Sequence, residues 1–170
     1  PDENGIGEIL VKGPNVMQGY YMPTNPGVLV PPENGWYHTG DVVEMDEIGF
    51  FTIKDRIKRF AKIGGEMVSL NAVQDMVMDA TKEMGAEYSY GVVSIPHESK
   101  GEQIVLVTNN EKVTSAMLHE YVKNNGMSEL YLPRVILYHE KLPVFATGKA
   151  DNVTLKKEVL AELCPVDNAA

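Results

Sequence analysis

Near its start the chain places Ile6, Ile9 and Val11 around Glu8 and Lys12, ahead of Gly13-Pro14. This pattern predicts a strand that runs into a turn. Residues 22 to 35 carry Pro23, Pro26, Pro31 and Pro32 and predict a loop. In "DVVEMDEIGFFTIKD" two β-rich runs are separated by Asp46-Glu47-Ile48-Gly49, the pattern of a hairpin with Gly49 at a left-handed turn position. The first fifty-odd residues thus predict strands and loops, without a helix and without enough apolar residues to close a core alone.

After Gly64-Gly65 the period changes. Ala72, Val73, Met76, Val77, Ala80 and Met84 share one helical face, with Ser69 or Asn71 as the N-cap. "YSYGVVSI" and "EQIVLVTN" predict two strands flanking the connection Pro96 to Gly101. Thr114 opens a helix with Leu118, Tyr121 and Val122 inward and Gly126 at its close. "RVILY" predicts a third strand, and Thr154 opens a last helix with Leu155, Val159 and Leu163 inward. The expected class is α+β: a small C-terminal domain with a short sheet of about three strands packed by helices, preceded by a β-rich segment. The boundary falls near Asp55 to Arg59.

Composition narrows the function classes. The 170 residues are 44% hydrophobic and 23% charged, which suits a globular, soluble chain, and no apolar run approaches a membrane span. The opening Pro1-Asp2-Glu3-Asn4-Gly5 has neither a basic nor an apolar signal region. The chain does not begin with Met, and the expectation is a piece of something longer. One cysteine, Cys164, leaves no internal disulfide framework and suits a reducing, cytoplasmic setting. A net charge of −9 argues against nucleic acid as a general partner. Five bases nevertheless fall within residues 54 to 62, namely Lys54, Arg56, Lys58, Arg59 and Lys62, with one acid, Asp55. Such a run is usually a solvated face, and its place beside glycines also allows an anion-binding role.

Individual motifs are modest on their own. Thr39-Gly40-Asp41 in "GWYHTGD" reads as a tight turn before a strand, because glycine accepts positive φ and aspartate bonds its own backbone. His38, His97, His119 and His139 lack partners at metal-ligand spacing, so no metal site is expected. Gly148-Lys149 resembles the end of a Walker A loop, but Pro143 stands where that loop needs glycine and Ala150 where it needs Ser or Thr. By itself Lys149 is an exposed loop charge.

Taken together and in order, "GEILVKGPNVMQGYY", "GWYHTGD", "DRIKRFAKIGGEMVSL" and "LPVFATGK" resemble the C-terminal signature of the adenylate-forming superfamily. That superfamily holds acyl- and aryl-CoA ligases, firefly luciferase and peptide-synthetase adenylation domains. "KRFAKIGGEMVSL" looks more particularly like the acyl-acyl-carrier-protein synthetase part of bifunctional 2-acylglycerophosphoethanolamine acyltransferase. The resemblance implies that residues 1–55 end a large N-terminal adenylation domain, that 56–58 form a hinge centred on Lys58, and that 59–170 form a mobile C-terminal domain. It implies that Asp41 and Arg56 hold the ATP ribose and that Lys149 stabilises charge at the α-phosphorus. It implies further that Lys62, Gly64 and Gly65 face the pantetheine thiol. Magnesium would accompany ATP, bound mainly by the N-terminal domain, and a fatty acid would be the substrate. Lys58, Arg59 and Lys62 would dock an acidic acyl carrier protein, and the parent would be cytoplasmic or associated with the cytoplasmic face of the inner membrane. The isolated piece is expected to be inactive; the alternatives are the tail of an acyl-CoA ligase, the same chemistry with a different thiol, and a stand-alone binding module with degenerate motifs. Asp55 stands where many members have Gly, Leu70 where many have Pro, and Ala150-Asp151-Asn152 where an arginine often follows the lysine.

Overall fold

A computed structural model describes residues 5–164. The chain divides into two units between Lys58 and Arg59. The first contains strands β1 (Ile6–Val11), β2 (Tyr20–Tyr21), β3 (Leu29–Val30), β4 (Tyr37–Met45) and β5 (Phe51–Arg56). β4 lies between β1 and β5, antiparallel to both, and β2 pairs with β3. The β4–β5 hairpin closes where its sequence predicts: Asp46 Oδ1 accepts the N–H groups of Ile48 at 3.0 Å and Phe50 at 2.9 Å. Among the described residues of this unit only one hydrophobic side chain, Val43, is buried, whereas Tyr21, Phe50, Phe51 and Ile53 are exposed. A sheet with so much uncovered apolar surface has little of the burial that normally stabilises a fold.

The second unit contains β6 (Phe60–Ile63), β7 (Glu66–Ser69), α1 (Leu70–Thr81), β8 (Tyr90–His97), β9 (Gly101–Thr108), α2 (Ser115–Asn124), β10 (Val135–Tyr138) and α3 (Asn152–Leu163). β9 is central, with β8 antiparallel along it and β10 parallel to its second half. The sheet has five strands rather than about three, because a β6–β7 hairpin joins β9 where Ile63 faces Gly101. Helices cover both faces. α1 and α2 pack with Val92, Ile104 and Leu106, while Leu155 and Val159 of α3 pack with Val93, Ile95, Val105 and Val107. Burial on both faces explains the unbroken apolar run Ile104-Val105-Leu106-Val107, since each such side chain contributes about 1.5–3 kcal/mol when fully buried.

Capping sets the helix starts. Ser69 Oγ accepts the Ala72 N–H at 3.0 Å and Thr114 Oγ1 accepts the Met117 N–H at 3.3 Å. The last helix begins earlier than its predicted cap, and of its expected inward residues Leu155 and Val159 are buried whereas Leu163, at the helix end, is exposed. Asp151 is the N-cap, accepting from Val153 and Thr154 N–H, and Thr154 donates its hydroxyl back to Asp151 at 2.7 Å. Asp151 outcompetes Thr154 because an ionised carboxylate accepts several hydrogen bonds at once. No described helix is long and apolar enough to cross a membrane.

Candidate functional site

The residues Thr39, Gly40 and Asp41 lie inside β4 as a bulge, not in a turn that precedes it. Glu8 pairs with Val42 and Leu10 with His38, so Ile9 alone spans three residues of β4. Gly40 adopts φ 75°, a value costly for other residues. Its N–H donates to Glu8 Oε1 at 2.9 Å, and the other carboxylate oxygen of Glu8 meets His38 Nδ1 at 3.0 Å. Thr39 Oγ1 donates to the Ile9 carbonyl at 2.9 Å and accepts the Asp41 N–H at 3.0 Å. Side chains therefore satisfy the backbone groups that the bulge withdraws from the ladder. The hydrogen bonds from His38 and then from the Gly40 N–H hold the Glu8 carboxyl below its ordinary range.

The bulge delivers Asp41 to the position opposite Arg56 on β5, where Arg56 Nε lies 2.8 Å from Asp41 Oδ1. The contact joins one carboxylate oxygen to one guanidinium nitrogen, and the Arg56 side chain is largely exposed. Their chemistry, an acceptor with an outward fork of donors, fits a vicinal diol. Beside the pair is an open cleft of ≈ 530 Å³ whose lining includes Glu8, Tyr20, Tyr37, His38, Gly40, Arg56 and Lys58. A hydrogen bond with Tyr37 raises the Tyr20 phenol above its ordinary pKa.

The other predicted residues belong to the second unit. Lys62 is exposed on β6, and Gly64 and Gly65 form the two-residue turn of the β6–β7 hairpin, both with positive φ. Lys149 is exposed on a small loop closed by Phe145 N–H to the Lys149 carbonyl, by Gly148 N–H to the Phe145 carbonyl, and by a bridge between Val144 and Ala150. The Asp151 N–H donates to the Pro143 carbonyl at 2.9 Å, tying this loop to the start of α3. Arg59 differs from the free docking cation its sequence suggests. Its Nε donates to Asn71 Oδ1 at 2.8 Å, Nη1 to the Val92 carbonyl at 2.8 Å and Nη2 to Gln74 Oε1 at 3.3 Å. Those bonds hold the guanidinium against α1 and β8. Among the described residues no group of three or more His, Cys, Asp or Glu could hold a metal ion.

Sequence reasoning overlooked Glu8, which organises the bulge, and Glu102, which accepts the Lys62 N–H at 2.7 Å. The available signal was an acid within an apolar strand run for Glu8, in "GEIL", and at the start of one for Glu102, in "GEQIVL".

No protein-family model matches the chain. It is 33% identical over 150 residues to a long-chain-fatty-acid–CoA ligase of Thermus thermophilus, which covers 87% of this chain and 27% of the relative. It is 32% identical over 169 residues to the ligase of the same description from Salmonella typhi, 96% of this chain and 28% of that relative. Its fold matches the o-succinylbenzoate–CoA synthetase of Bacillus subtilis, solved with an acyl-adenylate intermediate, with TM-score 0.64, 28% identity, 89% of this chain and 30% of that one. The chain is homologous to the C-terminal portion of adenylate-forming enzymes. The same α+β fold occurs in a fatty acyl CoA synthetase of Mycobacterium tuberculosis, with TM-score 0.58 and 26% identity over 94% of this chain and 31% of that one. The chain spans a little over a quarter of the length of the curated relatives it matches.

Proposed function

We propose that this chain is the C-terminal part of an ATP-dependent acid–thiol ligase, which activates a fatty acid as its acyl-adenylate and transfers the acyl group to a pantetheine thiol. The Asp41–Arg56 pair carries the reading. A bulge stabilised by several side-chain hydrogen bonds aims a carboxylate at a cross-strand guanidinium beside an open cleft, leaving polar atoms of both for the ribose hydroxyls of ATP. ATP supplies the electrophilic phosphorus; the substrate carboxylate attacks it and pyrophosphate leaves. Lys149, on its short loop, is the cation for the charge that builds on the phosphorus oxygens. The uncovered apolar side chains of the first unit support its being completed by a larger domain.

Thiol attack on the acyl carbon then releases AMP. Lys58, the last residue of the first unit, is the hinge, and the Lys62, Gly64 and Gly65 hairpin is the face that meets the pantetheine arm. The similarity to long-chain-fatty-acid–CoA ligases supports coenzyme A as acceptor. The stretch "KRFAKIGGEMVSL" supports acyl carrier protein, for which Lys58 and Lys62 are the exposed docking cations and Arg59 is the least available.

The test joins the chain to its upstream adenylation domain and measures fatty-acid-dependent exchange of pyrophosphate into ATP. Asp41→Ala should raise the ATP KM at least tenfold with the fatty-acid KM little changed, roughly the loss of two charge-assisted hydrogen bonds. An unchanged ATP KM would remove the ribose role. Comparing transfer rates to coenzyme A, acyl carrier protein and free pantetheine across a salt series identifies the acceptor, because docking by exposed charges weakens as salt screens them.

A further inference from the structure

The geometry points to Glu102 as the residue that positions the β6–β7 hairpin for thiol transfer, an inference that rests on the acid–thiol ligase reading. One face of the hairpin is anchored, since Ala61, Ile63 and Val68 are buried in the core shared with α1 and α2, whereas Lys62, Gly64, Gly65, Glu66 and Met67 are exposed; along β9 the hairpin pairs at one position, Ile63 opposite Gly101. A second attachment is the Gly64 N–H, which donates to the Lys100 carbonyl at 2.9 Å. Further along β9 the neighbour is β10, starting where Val135 faces Val105. The described β6–β9 ladder therefore ends at Ile63 and Gly101. Glu102 adds a link with its side chain, its Oε2 accepting the Lys62 N–H at 2.7 Å.

The carboxylate is itself held. Oε1 accepts the hydroxyl of Ser94 at 2.7 Å, and Ser94 is only 3% exposed on β8. Lys156 of α3 donates to the same Ser94 Oγ at 3.5 Å. With both oxygens occupied by short, charge-assisted bonds, the side chain cannot rotate without breaking one of them. The order Lys156, Ser94, Glu102, Lys62 ties the hairpin to the helix that Asp151 caps, immediately after the Lys149 loop. The effect falls on orientation, because Glu102 touches the hairpin backbone and acts through Lys62 and the glycine turn. A misplacement of about 1 Å at such a position costs up to about 100-fold in rate.

The experiment compares Glu102→Ala with Glu102→Gln. Glutamine keeps an oxygen for the Lys62 N–H and can donate its NH2 to Ser94 Oγ, so it keeps the Lys62 bond and a contact with Ser94 of reversed direction while removing the charge. In the chain joined to its adenylation domain, Glu102→Ala should slow transfer from supplied acyl-adenylate to free pantetheine by roughly tenfold or more, through kcat, and change adenylation less than about twofold. Glu102→Gln should restore transfer to within about threefold of the unaltered enzyme. Hydrogen exchange in the 170-residue chain should show the Lys62 amide losing protection in Glu102→Ala and keeping it in Glu102→Gln. Equal slowing of both half-reactions, or glutamine failing as badly as alanine, overturns the inference. An unaltered Lys62 amide in Glu102→Ala overturns it even if the enzyme behaves as a ligase, whereas absence of both half-reactions in the unaltered enzyme sinks the ligase reading instead.

Discussion

Replacing Arg59 by alanine is expected to destabilise the second unit by about 2–5 kcal/mol, although the residue sits in a run of surface cations. The figure follows from its three acceptors. Asn71 is exposed and Gln74 half-buried, so their amides can turn to water and each lost bond costs about 0.5–1 kcal/mol. Val92 is completely buried, and a carbonyl stranded there costs about 1–3 kcal/mol. Arg59→Lys keeps the charge, but one ammonium cannot reach three acceptors that the planar fork spans, and it should recover less than half of the loss. Urea unfolding followed by far-ultraviolet circular dichroism reports on this unit, since α1, α2 and α3 all lie in it. With a urea dependence of about 2 kcal/mol per molar, the midpoint should fall by about 1–2.5 M in Arg59→Ala. A shift below about 0.3 M, or Arg59→Lys equal to the unaltered chain, would refute the reasoning and return Arg59 to the surface cations. The result also bears on docking, because reversing the charge at Arg59 would disturb the fold as well as any acidic partner. Lys58 and Lys62 are the cleaner sites for that test.

Lys149→Ala, in the chain joined to its upstream domain, should lower adenylation by about 100- to 1,000-fold and leave transfer from supplied acyl-adenylate nearly intact; equal loss of both in half-reaction assays would place Lys149 elsewhere. Leu155→Ala removes a side chain 2% exposed between α3 and the sheet and should cost about 2–5 kcal/mol by urea titration, with a loss under about 1 kcal/mol contradicting the two-faced packing. The Glu8 and Asp151 carboxyls have folded pKa values below their unfolded ones, so their contribution to stability is present above the unfolded values, near 4.5 and 3.8, and is lost as pH falls through the lower folded values. Carboxyl-carbon NMR titration should give both midpoints below those values. A Glu8 midpoint at or above 4.5 would mean that the bonds from His38 and Gly40 do not persist in solution.

Much of the second unit was legible because its signals are local. Ser69 and Thr114 mark their helices by side-chain oxygens three residues ahead of the N–H groups they accept, and the apolar periods place the inward faces of α1 and α2. The double-sided core around β9 follows from an uninterrupted apolar run. The β6–β7 hairpin was hidden, because its strands have four residues each and the bases around them dominate the pattern. The cap of α3 was misplaced because Asp151 and Thr154 both have capping chemistry and bond to each other.

The candidate site divides along the same line. Sequence by itself named the residues to which the proposed chemistry is assigned, Asp41, Arg56, Lys62, the glycine pair and Lys149, because motif order and residue type are one-dimensional. Tertiary structure decided what holds them. A positive-φ glycine suits a turn and a bulge equally, and only Glu8, 32 residues before Gly40 on a paired strand, makes Thr39-Gly40-Asp41 a bulge that faces Arg56. Arg59 reads as one more exposed cation until Val92, 33 residues away, supplies its carbonyl. Glu102 reads as a strand-end acid until Lys62, 40 residues earlier, presents its N–H to the carboxylate. In each case a donor must find an acceptor distant in the chain, and that pairing is settled only when the strands are in register.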